Sequence, residues 1–177
     1  MPNKVAMIVI VMGVTGCGKS TIGRRLARRL ACAFYDGDDF HSAENVEKMR
    51  QGVPLTDEDR WPWLDRLREL GEEMLTRGRS AVIACSALRA SYRERLLPRE
   101  TALAAKVVFV YLRISPELAR ERLAVRRNHY MPPSLVESQF AALEEPVEGR
   151  GVIVLDGSEP LKGLLHKAMI QLRSLAR

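Results

Sequence analysis

The sequence has few cysteines, few aromatic residues and no long hydrophobic run, and each shortage excludes a class of protein. Its three cysteines, Cys17, Cys32 and Cys85, are odd in number and lack CxxC spacing, which argues against a disulfide framework or a zinc site. The longest apolar run, residues 5–12, is too short to span a bilayer, and only Lys4 precedes it as a basic flank, so we expect neither a membrane segment nor a secretory signal. Aromatic residues make up only 6% of the chain and no RNA-binding signature accompanies them, so we expect no nucleic-acid partner. We therefore predict a cytoplasmic protein with reduced thiols.

The remaining composition is that of an ordinary globular chain. The 177 residues suit a single domain, 1–177, and a content of 46% hydrophobic and 28% charged residues is typical of a folded protein. The net charge of +6 suits a nucleic acid, a membrane surface or a small polyanionic ligand, and charge alone does not choose among them. The densest basic stretch, residues 24–29, lies on a predicted helix and is typical of a solvated helix face.

Apolar stretches alternate with helical patterns along the chain. Strands are predicted at residues 5–12, 33–36, 81–85, 106–112 and 152–155. Helices are predicted at residues 19–31, 43–51, 90–97, 116–126 and 134–143, from Thr56 onward and from residue 160 onward, with Ser42, Thr56 and Ser115 as N-caps. This alternation predicts a doubly wound α/β fold whose ligands bind at the carboxyl ends of the strands.

The stretch "MGVTGCGKST", residues 12–21, matches the pattern GxxxxGK[ST] between a predicted strand and a predicted helix. Glycines let consecutive N–H groups point inward, and the helix N-terminus adds its partial positive charge, which makes a cradle for phosphate. We expect Lys19 to reach the β and γ phosphates of a nucleotide and Ser20 to ligate Mg2+. We also hypothesise that the helix N-terminus and Lys19 lower the pKa of the Cys17 thiol. The expected nucleotide-binding residues are Gly13, Val14, Thr15, Gly16, Cys17, Gly18, Lys19, Ser20 and Thr21.

A cluster of acidic residues follows the second predicted strand, in "FYDGDDFH". Beside a phosphate loop, one such carboxylate can orient Mg2+ and another can accept a proton from a hydroxyl. If the chain stays extended, Asp36 and Asp38 project to one side and Asp39 to the other. The alternative is an acidic turn that caps the next helix. The sequence contains no NKxD element, which argues against a GTPase, and no acidic residue ends the strand at 81–85.

Five stretches together resemble the gluconokinase family over nearly the whole chain. They are "MGVTGCGKST", "FYDGDDFHSAENVEKMRQGVPLTDEDRWPWL", "ACSALRASYRERL", "RRNHYMPPSLVESQFAALEEP" and "VLDGSEPL". The resemblance implies ATP-dependent phosphorylation of D-gluconate to 6-phospho-D-gluconate at its 6-hydroxyl, with Mg2+ as cofactor. It also implies a three-layer α/β/α P-loop kinase fold like that of shikimate kinase, with five parallel strands in the order 2-3-1-4-5, and a homodimer.

The resemblance also suggests roles for individual residues. We expect Asp38 to bind the acceptor hydroxyl and act as base and Asp36 to lie nearer the metal, although these two roles can be exchanged. His41 is a candidate for binding substrate hydroxyls or, alternatively, a residue that only starts a helix.

Arginines and one serine complete the expected substrate site. Arg60 is a candidate for the substrate carboxylate because its planar fork suits bidentate recognition. Its alternative is a surface partner for Asp57 or Glu58. Ser86 and Arg89, after the third strand, are further candidates for substrate contact.

A candidate lid covers about residues 122–140. Arg126 matches the lid arginine of the family and is expected to neutralise charge on the transferred phosphate, with Arg122 at the nucleotide and His129 at the substrate. For each arginine the alternative is an exposed, solvated side chain. Residues 127–128 are Arg and Asn where the family has lysine and glycine, which leaves lid flexibility open.

Two other functions remain possible on the sequence. A kinase for shikimate or for a nucleotide would use the same loop and aspartate strand. A regulatory or nucleic-acid-binding P-loop ATPase would suit the positive charge, and salt-dependent DNA or RNA binding would support it.

Overall fold

Five parallel strands form the central sheet of the computed structural model, which describes residues 5–125, 133–149 and 151–175. The strands are β1 (Ile8–Met12), β2 (Ala33–Asp36), β3 (Ala81–Ala84), β4 (Val107–Arg113) and β5 (Val152–Asp156). Their spatial order is β2-β3-β1-β4-β5, and every neighbouring pair is parallel. This confirms the expected strand order, and it places β1 between β3 and β4.

Helices connect successive strands. They are α1 (Lys19–Leu30), α2 (Ala43–Arg50), α3 (Asp57–Thr76), α4 (Ala90–Leu96), α5 (Thr101–Ala104), α6 (Pro116–Ala124), α7 (Pro133–Ala142) and α8 (Leu161–Leu175), with a 3₁₀ turn at Gly37–Phe40. None of the helices in the described part of the chain combines the length and apolar character that a membrane-spanning segment needs.

Two hydrophobic cores lie on the two faces of the sheet. Side chains alternate along β1, so that Val9 and Val11 face one core while Ile8 and Ile10 face the other. The first core is closed mainly by α1 and α8 and the second mainly by α3 and α4. Because both faces are covered, β1 and β3 are buried along their whole length, which explains their continuous apolar sequence. The three-layer α/β/α fold is confirmed.

The three predicted N-caps are confirmed. Ser42 accepts a hydrogen bond from Asn45 N–H, and Ser115 accepts one from Leu118 N–H. Thr56 forms a reciprocal capping box with Asp59 at the start of α3. Most predicted boundaries move by one or two residues, and β1 begins three residues later than predicted. The short helix α5 was not predicted because its four residues carry no helical periodicity.

The chain does not stay extended beyond Asp36, so the condition for Asp36 and Asp38 to project to one side is not met. Gly37 begins a 3₁₀ turn, and the Trp63 indole N–H donates to the Gly37 carbonyl at 2.6 Å. A Cβ at position 37 would lie 2.4 Å from the Ala84 carbonyl oxygen, so only glycine lets the turn pack this closely on β3. Asp38 therefore lies on a turn, because β2 ends at Asp36.

Candidate active site

The phosphate loop between β1 and α1 is wrapped around the side chain of Lys19. The Lys19 Nζ donates to the carbonyls of Gly13 and Val14, both at 3.1 Å. Gly16 and Gly18 have φ angles of 80° and 99°, in the left-handed region that favours glycine. The loop therefore has the conformation that its glycine spacing predicts, with Lys19 at its centre and the N-terminus of α1 directly after it.

Ser20 and Asp36 meet at the tips of β1 and β2. The Ser20 hydroxyl donates to Asp36 Oδ2 at 2.8 Å. Hydroxyl and carboxylate oxygens are the hard ligands that Mg2+ takes, together with waters and substrate phosphates, when the protein supplies only one or two of its own. Within the described ranges no three His, Cys, Asp or Glu side chains come together as a metal site. The pair fits a Mg2+ ion held jointly with a nucleotide.

Asp38 lies close to the same strand tips but is more exposed than Asp36. It belongs to the 3₁₀ turn, and its backbone N–H donates to Asp36 Oδ1 at 3.4 Å. Burial raises the pKa of the Cys85 thiol, just after β3, to about 12. The charges of Asp38 and Asp36 also raise this pKa, whereas a backbone hydrogen bond at Ala87 and the charge of Lys19 lower it. Charged groups of both signs therefore surround the end of β3.

His41 is partly buried against an aromatic side chain. Its ring stacks on Trp63, with ring centroids 4.1 Å apart and an interplanar angle of 18°. Burial, and then the positive charges of Arg60 and Arg66, lower the pKa of His41 to about 4. The imidazole is therefore neutral at physiological pH, with one nitrogen that donates and one that accepts. Its buried Nδ1 has no hydrogen-bond partner among the described residues.

Arg60 and Arg89 converge on one carboxylate. The Arg89 Nη1 contacts the two oxygens of Asp57 at 3.0 and 3.1 Å, and Arg60 Nη1 lies 3.8 Å from Asp57. The Tyr92 hydroxyl donates to Asp57 and accepts from Arg60 at 3.3 Å. Two positive charges share one negative charge, so the cluster keeps a net positive charge. Arg60 does pair with Asp57, as its alternative predicts, and the structure also places it beside Arg89.

Ser86 connects the acceptor side to the phosphate loop through its backbone. The Gly13 N–H donates to the Ser86 carbonyl at 3.3 Å. The Ser86 side chain is partly buried at the carboxyl end of β3, between the two regions.

Arg122 lies behind the phosphate loop. Its Nη1 donates to the carbonyls of Gly16 and Cys17 at 3.5 and 3.4 Å, and its Nη2 donates to the Gly157 carbonyl at 2.7 Å. It borders an open cavity of about 310 Å³, whose other lining residues include Gly18, Thr21, Gly157 and Leu161. A larger groove of about 740 Å³ lies at the opposite edge of the sheet, and none of the predicted site residues lines it. The smaller cavity is the one that continues from the phosphate loop.

The hypothesis of an activated Cys17 thiol is wrong. Only 2% of Cys17 is exposed, and burial raises its pKa above the ordinary value despite the nearby positive charges of Lys19 and Arg122. The sequence shows that Cys17 is close to a lysine and a helix N-terminus, but not that its side chain points into the core.

The sequence and the fold of this chain match those of known proteins. Residues 8–148 match a protein family described as "AAA domain". A "Probable gluconokinase" from Xenopus tropicalis is 42% identical over 161 residues, which cover 85% of this chain and 85% of that protein. The chain belongs to the gluconokinase family. A "Gluconokinase" from Arabidopsis thaliana is 44% identical over 77% of each chain. The crystal structure of a gluconokinase from Sinorhizobium meliloti 1021 has a TM-score of 0.84 and 37% identity, covering 98% of this chain and 95% of that one.

The structure of this gluconokinase family member adds residues that sequence reasoning does not select. Asp57 and Tyr92 hold the two arginines, and Gln139 on α7 accepts a hydrogen bond from Thr15 N–H at 2.7 Å. The sequence suggests Asp57 only as a surface partner, and no local motif marks Tyr92 or Gln139. Two predicted residues, Arg126 and His129, lie outside the described residues.

Proposed function

We propose that this chain transfers the terminal phosphate of ATP to the 6-hydroxyl of D-gluconate, giving ADP and 6-phospho-D-gluconate. Membership of the gluconokinase family supports the proposal. The observation that carries it in the structure is one edge of the sheet, where the ends of β1, β2 and β3 present a phosphate cradle, an oxygen pair for a cation and a positively charged cluster. The charge of the cluster suits an acceptor that carries a carboxylate.

The donor side follows from the phosphate loop. Backbone N–H groups of the loop and Lys19 would bind the phosphates of ATP, and the cavity beside Arg122 would take the rest of the nucleotide. Ser20 and Asp36 would hold Mg2+. When bound, that ion neutralises charge that develops on the transferring phosphate. Lys19 would give up its contacts with the loop carbonyls in exchange for phosphate oxygens.

The acceptor side uses the arginine cluster. Arg60 and Arg89 would bind the carboxylate of gluconate, because their combined charge exceeds that of Asp57. Asp57 and Tyr92 would fix the direction of the two guanidinium groups. Neutral His41 would exchange a hydrogen bond with a sugar hydroxyl through Nε2, because its Nδ1 is buried.

Phosphoryl transfer then requires alignment and one proton acceptor. Asp38, on the exposed turn after β2, would take the proton from the 6-hydroxyl as that oxygen attacks the phosphate. Arg126 and His129 stay predicted contributors of a lid at about residues 122–140, which would exclude water as a competing acceptor. Assembly as a homodimer and a cytoplasmic location also stay predictions.

A comparison of acceptors tests the activity. A coupled ADP-release assay would cover gluconate, other aldonates, shikimate and nucleoside monophosphates, with ATP and Mg2+ supplied. We expect turnover with gluconate to exceed turnover with shikimate and the nucleotides. A flat response across these compounds would contradict the proposal, and nucleic-acid-stimulated hydrolysis would support the ATPase instead.

A matched pair of variants tests the proton acceptor. Asp38→Asn should lower kcat by about 100-fold or more, whereas Asp39→Asn, in the same turn and also exposed, should change it by less than about threefold. Equal thermal unfolding midpoints would show that both variants fold. Full activity in Asp38→Asn would remove that carboxylate from the chemistry.

A further inference from the structure

The end of α7 contacts the phosphate loop from a distant part of the sequence. The Thr15 N–H donates to Gln139 Oε1 at 2.7 Å, across 124 residues of chain. Because the donor is a backbone N–H, the accepting atom must be the amide oxygen of Gln139. The helix that carries Gln139 is therefore attached to the loop proposed to bind ATP.

The residues just after α7 contact the acceptor side. The Glu144 N–H donates to the Leu88 carbonyl at 2.9 Å, and Glu144 Oε2 accepts from Ala90 N–H at 2.7 Å. Ala90 is the first residue of α4, and Arg89 before it makes no side-chain cap. The Glu144 carboxylate thus caps the N-terminus of α4 in place of the Arg89 side chain. Through Leu88 and Ala90, Glu144 holds the backbone on both sides of Arg89.

Further hydrogen bonds and packing contacts are made by the backbone before Arg89 and by the residues around Glu144. Arg93 Nη1 donates to the carbonyls of Ala87 and Leu88, each at 3.1 Å. The Tyr111 hydroxyl donates to Glu145 at 3.2 Å, and Leu143 packs against both hydrophobic cores. Leu143 and Glu145 therefore hold residues 139–145, which we call the bridging segment, against the body of the protein.

We propose that the bridging segment sets the separation of the donor and acceptor loops, with Gln139 and Glu144 as positioning residues. This inference rests on the proposed function for the identity of the two substrates. A single short segment holds the phosphate loop through Thr15 and the Arg89 backbone through Glu144. Release of either contact therefore affects the loop at the other end as well.

The proposal is tested by substituting the residue at one contact and measuring binding of the substrate at the other contact. Gln139→Ala should raise the KM for gluconate, and Glu144→Ala should weaken the affinity for a non-hydrolysable ATP analogue measured by calorimetry, each by about three- to tenfold. The double variant should be little worse than either single variant, because both break one connection. Glu144→Gln, whose amide oxygen still accepts from Ala90 N–H, should restore most of the loss.

A control variant outside the bridging segment shows whether the effects are specific to Gln139 and Glu144. Glu148→Gln changes an exposed residue outside the candidate lid and the bridging segment, and it should leave both constants within about twofold. If each variant affects only the substrate at its own end and the effects add in the double variant, the bridging role is wrong. The calorimetric measurement needs no turnover, so it can be interpreted even if wild-type protein fails to phosphorylate gluconate, which would refute the proposed function alone.

Discussion

Replacement of His41 by phenylalanine should remove a pH dependence of stability that the stacked imidazole creates. Phenylalanine can keep the stack on Trp63 but cannot take up a proton. The pKa of His41 is about 4 in the folded protein, against an ordinary value of 6.5. Between these values the unfolded chain binds more protons than the folded one, so the free energy of unfolding falls as the pH decreases from about 6.5 to about 4.

The size of the effect follows from the difference between the folded and unfolded pKa of His41. A tenfold change in proton affinity corresponds to about 1.4 kcal/mol. The loss in the free energy of unfolding that protonation of this histidine causes therefore has an upper bound of about 3 kcal/mol. Since the ring is only partly buried, solvent screening reduces the expected loss to about 1–2 kcal/mol. The loss is absent at neutral pH and complete near pH 4.

Urea unfolding of wild type and His41→Phe at about pH 7 and about pH 4.5 measures this contribution. Carboxylates titrate in both proteins, so their effect cancels in the difference between the two free energies. We expect the difference to move in favour of the variant by about 1–2 kcal/mol at the lower pH. An unchanged difference would refute the argument that burial and the neighbouring arginines disfavour the imidazolium.

Two further predictions concern packing. Gly37→Ala should lower the free energy of unfolding, measured by chemical unfolding, by about 1–3 kcal/mol, because the new Cβ would lie 2.4 Å from the Ala84 carbonyl oxygen. Gly149→Ala is the control: its Cβ would enter open space, and the free energy of unfolding should change by less than about 0.5 kcal/mol. Equal stability of the two variants would show that the turn can move away from β3. Cys17 should resist iodoacetamide in the native protein while partly buried Cys32 reacts, as measured by peptide mass spectrometry, and both should react after unfolding. Alkylation of native Cys17 at the rate of Cys32 would contradict its burial.

Local features were predicted well because their causes lie within a few residues. The caps at Ser42, Thr56 and Ser115 depend on a side chain and an N–H three residues later. The phosphate loop depends on glycine spacing between a strand and a helix, and residues 8–12 carry the apolar pattern of a strand buried on both faces. The resemblance to gluconokinases supplied the strand order, which periodicity alone does not contain.

Packing between distant segments decided what local patterns left open. The chain leaves the extended conformation after Asp36 because Gly37 packs on β3 and accepts a hydrogen bond from Trp63. The thiol of Cys17 was misjudged because its burial outweighs the charge of the nearby Lys19. Both outcomes depend on where a group lies relative to distant parts of the chain, which no local pattern specifies.

Local sequence patterns are enough to predict the phosphate loop, the alternation of strands and helices and the residue types at the strand ends. Which side chains meet is visible only in the folded chain: Ser20 contacts Asp36, Arg60 and Arg89 lie around Asp57, and Gln139 contacts the phosphate loop. The difference lies in how far apart in the sequence the interacting residues are. A cap or a glycine turn is fixed by neighbours along the chain, whereas a contact across more than 100 residues depends on how the sheet orders its strands and how the helices pack on it.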